Sequence, residues 1–179
     1  MQIQIRKPKT MKDIKAIVYR SNAGHTKAYA QMLSEQTGIK AYDLRDAGSK
    51  LEKNAPIIYM GWLMAGQVKG YKAAFSNFEI KAVCGVGMAP DGTQVEDIKK
   101  TNPIPIDCKV FSLQGGFDME KLSGTYKQMM KTMRFFAGNS LKKKANRTAD
   151  EDEMLDLLYN GGDKVSLESL KPVIEWLSE

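Results

Sequence analysis

The sequence predicts an α/β protein built on a five-stranded parallel sheet, and three observations predict it. Short apolar runs alternate with stretches of helical period along the chain. The run from Pro56 to Met60 is apolar on both faces, as a central parallel strand requires. The connections between runs are long enough for helical crossovers of one hand.

The elements follow in order. Ile14 to Tyr19 reads as a buried strand, and Thr26 to Gln36 as a helix with Ala28, Tyr29, Met32 and Leu33 on one side and Gly38 as its stop. Ile39 to Leu44 is a second, shorter strand, and Pro56 to Met60 the third. Val68 to Phe78 reads as a helix, with Val68, Tyr71, Ala74, Phe75 and Phe78 at helical spacing. Ala82 to Val86 is a fourth strand, Asp91 to Lys100 a polar connector with one or two helical turns, and Lys109 to Leu113 a fifth strand.

Beyond that strand, Asp118 is placed to cap a long helix reaching Phe136. Its apolar stripe includes Met119, Leu122, Tyr126, Met129, Met130, Met133 and Phe136. Lys127, Lys131 and Arg134 form a basic stripe elsewhere on it. Gly138 to Thr148 reads as a basic turn. Asp150 to Leu158 reads as another helix, broken by Gly161 and Gly162. Ser166 to Leu177 is the closing helix, although Pro172 inside it removes a backbone hydrogen bond. Residues 1–10 alternate Gln and Ile before turning basic, and read as an N-terminal extension to a single domain spanning 11–179.

The 179 residues suit one domain, with 42% hydrophobic and 27% charged residues. No apolar run approaches membrane-spanning length and the start lacks a signal-peptide pattern, so the cytoplasm is the default compartment. Cys84 and Cys108 are far apart and read as small buried residues rather than a redox pair. The net charge of +6 favours anionic partners. No nucleic-acid motif interleaves aromatic with basic residues, so no nucleic acid is expected as a partner. Paired carboxylates, a nucleophile elbow and metal-ligand clusters are all missing from the sequence, and no catalytic residue is assigned.

Three segments carry the candidate site. The first is Ser21-Asn22-Ala23-Gly24-His25-Thr26, a small polar loop between the first strand and first helix. A strand, a short loop and a helix N-terminus aim backbone N–H groups and the helix dipole at an anion of phosphate size. Ser, Asn and Thr also cap helices without binding anything. His25, the single histidine, either donates to such an anion or faces solvent. The second segment follows the third strand: Gly61, Trp62, Leu63, Met64, Ala65 and Gly66. The third follows the fourth strand: Gly87, Met88, Ala89 and Pro90. Trp62, Leu63, Met64 and Met88 offer flat or soft apolar surface to an aromatic ring, or else pack inward as core. All three segments fall at carboxyl ends of strands.

The first loop resembles that of the flavodoxin family, which commonly reads Ser/Thr-x-Thr-Gly-x-Thr and wraps the phosphate of FMN; Ser21, Gly24 and Thr26 match it. Ala23 stands where the family has Thr, which removes one hydroxyl contact. The resemblance implies a flavodoxin-like three-layer sandwich with strand order 2-1-3-4-5. Its winding reverses beside the first strand, where ligands collect. It also implies FMN as cofactor, with the ring held between the second and third segments, although the family's usual third-loop Tyr is missing. Gln114-Gly115-Gly116-Phe117 and the long basic, Met-rich helix are similar to a flavodoxin-domain subgroup that includes menaquinone-dependent protoporphyrinogen oxidase.

The expected function is therefore FMN-dependent electron transfer or oxidoreduction, with a redox protein or a quinone as partner. The alternatives are a quinone-coupled oxidase, and a flavodoxin-fold binding module that has lost FMN. A flavin in so basic a protein is expected to have a less negative potential than in an acidic flavodoxin. The methionines of the 118–136 helix read either as core fillers or, with its lysines, as a peripheral membrane contact.

Overall fold

The computed structural model describes residues 12–179. The expected N-terminal extension lies outside the described residues. The main sheet carries five parallel strands: β1 (Ala16–Arg20), β2 (Ala41–Asp43), β3 (Pro56–Met64), β5 (Glu79–Gly87) and β6 (Lys109–Gln114). They lie in the order β2-β1-β3-β5-β6, which is the flavodoxin-like 2-1-3-4-5 order. Every neighbouring pair on this path is parallel, and β1 pairs with β3 from Ala16–Ile57 to Arg20–Gly61.

Helices cover both faces of the sheet. Leu33 of α1 (His25–Thr37) and Leu170 and Val173 of α7 (Leu167–Ser178) bury against Ile17, Ile58, Met60 and Cys84 on one side. Ala47 of α2 (Leu44–Lys50), Tyr71 and Ala74 of α3 (Tyr71–Asn77) and Ile98 of α4 (Val95–Thr101) pack on Val18, Ile57, Tyr59 and Val83 on the other. Alternate residues of β1 and β3 thus serve different layers, the period-2 consequence of a strand buried on both faces. Cys84 and Cys108 are buried free thiols, and burial pushes Cys108 up to about 11.

Several elements depart from the sequence reading. The short helix α2 was not expected. Asp43 caps it by accepting from the Arg45 N–H at 3.0 Å, and the Arg45 guanidinium returns to the same carboxylate at 2.9 Å. That pairing holds Asp43 below the usual carboxylate range. Val68 does not start a helix. It belongs to β4 (Gln67–Val68), which returns antiparallel along the end of β3, and α3 starts only after Gly70.

Asp118 does not cap the long helix; it closes a local turn by accepting from the Glu120 N–H at 3.0 Å. The helix, α5, runs Gly124–Lys143, through the first half of the segment read as a turn; only 144–148 form the connection to α6 (Ala149–Asn160). Gly138 leaves room for Tyr159 of α6: a Cβ there would sit 2.5 Å from the Tyr159 hydroxyl. A capping box between Thr148 and Glu151 starts α6. The α5–α6 excursion is closed at its neck by two short strands, β7 (Gly116–Phe117) and β8 (Gly162–Asp163), paired antiparallel.

Helix α7 keeps its course through Pro172 because the proline is exposed while Leu170, Val173, Ile174 and Leu177 are buried. The proline leaves the Glu168 carbonyl without its helical donor. Pro172→Ala is expected to raise stability by about 1–3 kcal/mol, read as a higher urea midpoint at unchanged slope.

Candidate functional site

A cleft of about 540 Å³ opens at the carboxyl ends of β1, β3, β5 and β6. Its size suits a small-molecule or cofactor site. The strand order reverses here, between β1 and β3, so the cleft occupies the topological switch point.

The polar end is built by the β1–α1 connection. Asn22, Ala23, His25 and Thr26 line it. Gly24 is the N-cap of α1 in a left-handed conformation, with no side-chain cap and no acidic residue in the first turn. The amides of that turn therefore have no intrahelical partner, and no carboxylate of the turn itself competes for them. One amide is committed elsewhere: the Gly24 N–H donates to Ser21 Oγ at 3.2 Å. Ser21 and Gly24 accordingly shape the turn and do not line the cleft, whereas Thr26 lines it and is almost fully buried.

His25 lies between the cleft and the excursion. Burial pushes its imidazole below the usual value. Asp163 opposes this, Lys121 reinforces it, and Asp118 opposes it. In the unfolded chain the ring takes its proton near pH ~6.5. The folded protein resists that proton to lower pH. The unfolded state therefore binds more protons across the window, and stability falls as the pH drops below about 6.5. The expected result is that His25→Gln flattens the loss of urea-unfolding stability on going from neutral to mildly acidic pH. An anion seated beside the ring would pull its titration back up, which ligand-dependent NMR titration of the imidazole would show.

The second segment is a hairpin rather than a loop. β3 continues through Met64, and Ala65 and Gly66 form the turn into β4, both with positive φ (49° and 78°). Two successive left-handed residues make the tight turn that suits a twisted hairpin. Gly61 lies beneath it: a Cβ would sit 2.6 Å from Val68 Cγ1 and 2.7 Å from the Lys69 carbonyl, so it is an approach site for β4 and not part of the cleft. Trp62, Leu63, Met64 and Ala65 do line the cleft. The Trp62 ring meets Tyr126 edge to face at 5.0 Å, and the Lys69 ammonium lies 5.8 Å above it.

Asn102, a residue the sequence reading passed over, anchors this hairpin. Its Nδ2 donates to the Gly66 and Ile98 carbonyls at 2.9 and 2.8 Å, and its Oδ1 accepts from the Val68 N–H at 3.1 Å. Asn102 is buried, so each of these bonds satisfies a group that water does not reach.

Gly87, Met88 and Ala89 form the opposite wall. Gln114 holds it: Nε2 donates to the Met88 carbonyl at 3.0 Å and to Glu153 Oε1 at 3.2 Å, tying the third segment to α6. The end of β6 is fixed in turn by Asp91, which accepts from the Gln114 N–H and from Ser169 Oγ, each at 2.6 Å.

The excursion completes the cleft. Tyr126, Met129, Met130 and Met133 of α5 and Met154 and Leu158 of α6 face into it. Met130 also packs against the small cluster of Phe117, Leu122 and Leu157, joined by Ala23 and Met88. The methionine stripe is therefore mostly wall and rim, not sheet core, with Met129 and Met133 exposed as well. Trp62 and Met88 are likewise cleft surface. The result is a site with one polar, dipole-bearing end and a long apolar body.

Searches against protein-family models, curated proteins and solved structures returned no match.

Proposed function

We propose that the chain is an FMN-binding, flavodoxin-like protein acting in electron transfer or flavin-dependent oxidoreduction. The observation that carries this reading is one continuous cleft joining the uncapped N-terminus of α1 to an apolar slot walled by Trp62 and Met88. The ligand that fits has an anionic tail and a flat aromatic body, and FMN has both. The amides of the first turn of α1, with Asn22, His25 and Thr26, would hold the phosphate. Trp62, Leu63, Met64, Ala65, Gly87, Met88 and Ala89 would enclose the ring. Bound FMN supplies one- and two-electron transfer, and the protein positions it and tunes its potential.

Cleft-lining ionisable side chains are few, with His25 and Asp118 at the polar end. A ring in this slot would lie in largely apolar surroundings beside the basic helix α5. The buried free thiols fit a reducing compartment, and we place the protein in the cytoplasm on that ground. No helix among the described residues is long and apolar enough to cross a membrane.

A second reading has its own support. Met133, Leu141, Met154 and Leu158 also line the cleft, adding apolar surface to that of the Trp62 and Met88 walls. This favours a quinone or another flat apolar substrate as the electron acceptor, in a quinone-coupled oxidase. The Ser21–Gly24 bond and Ala23 favour instead a binding module without flavin.

The deciding experiment is the visible spectrum of the purified protein, before and after incubation with FMN and desalting. Retained flavin bands, lost on acid treatment, are expected. A protein that stays colourless throughout would overturn the proposal.

A further inference from the structure

We propose that the solvent face of α5 docks on an anionic lipid surface, with Phe135 and Phe136 inserting among the acyl chains. From Lys121 to Thr148 the chain carries eight basic residues and no acidic one. Lys121, Lys144 and Arg147 are paired with Asp118, Glu151 and Asp152. Lys127, Lys131, Arg134, Lys142 and Lys143 have no ion-pair partner among the described residues. The excess positive charge therefore belongs to α5 itself.

The same helix holds an uncovered apolar surface. Phe135 and Phe136 are 63% and 68% exposed, and Met129 and Met133 41% and 39%. Met129, Met133 and Phe136 are spaced i, i+4, i+7 and share a face. Phe135 extends it, its ring 5.3 Å from that of Phe136 and nearly perpendicular. Gly138 is the single buried residue of the helix, so α5 lies on the body of the protein without being embedded in it.

Charge selects the occupant. A second copy of this face would set the five unpaired cations of α5 against five of the same sign, which opposes dimerisation here. An anionic bilayer answers both features, because lysines attract its headgroups while adjacent phenylalanines enter the boundary below them. Met129 and Met133 also line the cleft, so docking would seat the rim of the cleft near the membrane. The docking itself does not depend on flavin.

The test is co-sedimentation of the full-length protein with vesicles of phosphatidylcholine alone or mixed with phosphatidylglycerol, at low and high salt. Binding to the anionic vesicles that weakens with salt is expected. The double change Phe135→Ser and Phe136→Ser alters exposed residues only and is expected to weaken binding roughly tenfold or more. Replacing Lys127, Lys131, Lys142 and Lys143 with Gln is expected to abolish it. Circular dichroism checks that both variants keep the fold. No binding to anionic vesicles at low salt, or equal binding to both compositions, would overturn the proposal. So would an unchanged affinity in the Phe135/Phe136 variant. Capture of a soluble polyanion such as heparin without vesicle binding would assign the lysines to an acidic macromolecule and would equally overturn it.

Discussion

Gly116→Ala is expected to destabilise the protein by about 2–4 kcal/mol. Gly116 has φ 126°, a conformation side-chain-bearing residues rarely adopt, and it sits in the neck that closes the α5–α6 excursion. A Cβ there would overlap the Gly162 carbonyl oxygen and lie 3.1 Å from Asp163 Cα. Both obstacles are backbone, so no side chain can swing away to relieve them. The β7–β8 ribbon must then part, and with it the position of the cleft wall. Gly38→Ala is the control. Gly38 also has positive φ, at 77°, but nothing lies within 4 Å of its missing Cβ. It is the left-handed stop of α1, and alanine there is expected to cost only about 1 kcal/mol. Urea unfolding of the two variants side by side checks the difference. Equal costs would mean that the neck is not closed as described.

The second large effect concerns ligand affinity. Trp62→Ala is expected to weaken FMN binding roughly 10- to 100-fold, whereas Trp62→Phe should recover much of the loss. Trp62 contributes the largest flat surface of the hairpin wall, and Tyr126 braces it edge to face. Alanine removes that surface and leaves Tyr126 without its partner. Because Trp62 is only partly buried, the fold should survive the change. Titration followed by quenching of flavin fluorescence gives the affinities. An alanine variant within twofold of the parent would show that no ring lies against this wall.

The sheet was legible because its signals are local. Apolar runs such as Pro56 to Met60 and Ala82 to Val86 are continuous, and burial on both faces leaves them no other place. The three site segments were legible from their positions at strand ends, and the structure brings Asn22, Trp62 and Met88 to one cleft. What the sequence hid depends on partners distant in the chain. Gly138 reads as a helix breaker until Tyr159 is seen to need the space it leaves. Asn102 reads as an ordinary polar residue until its two hydrogen bonds to the hairpin, at Gly66 and Val68, and its third to Ile98 of α4 are seen. The hairpin itself was missed because Ala65, unlike Asn or Gly, does not announce a left-handed turn. The β7–β8 neck joins two-residue strands at the two ends of the excursion, too short for any periodicity. The methionine stripe was visible, but Met suits a core and a ligand wall equally, and only the fold shows that it faces the cleft.

Calorimetric titration of flavin-free protein with FMN and, separately, with riboflavin tests the central claim most directly. The two ligands share a ring and differ in the phosphate. If the amides at the start of α1 grip an anion, FMN should bind at least ~100-fold more tightly than riboflavin, since charge-assisted hydrogen bonds are the strong ones. Equal affinities, or no heat with FMN, would contradict the account.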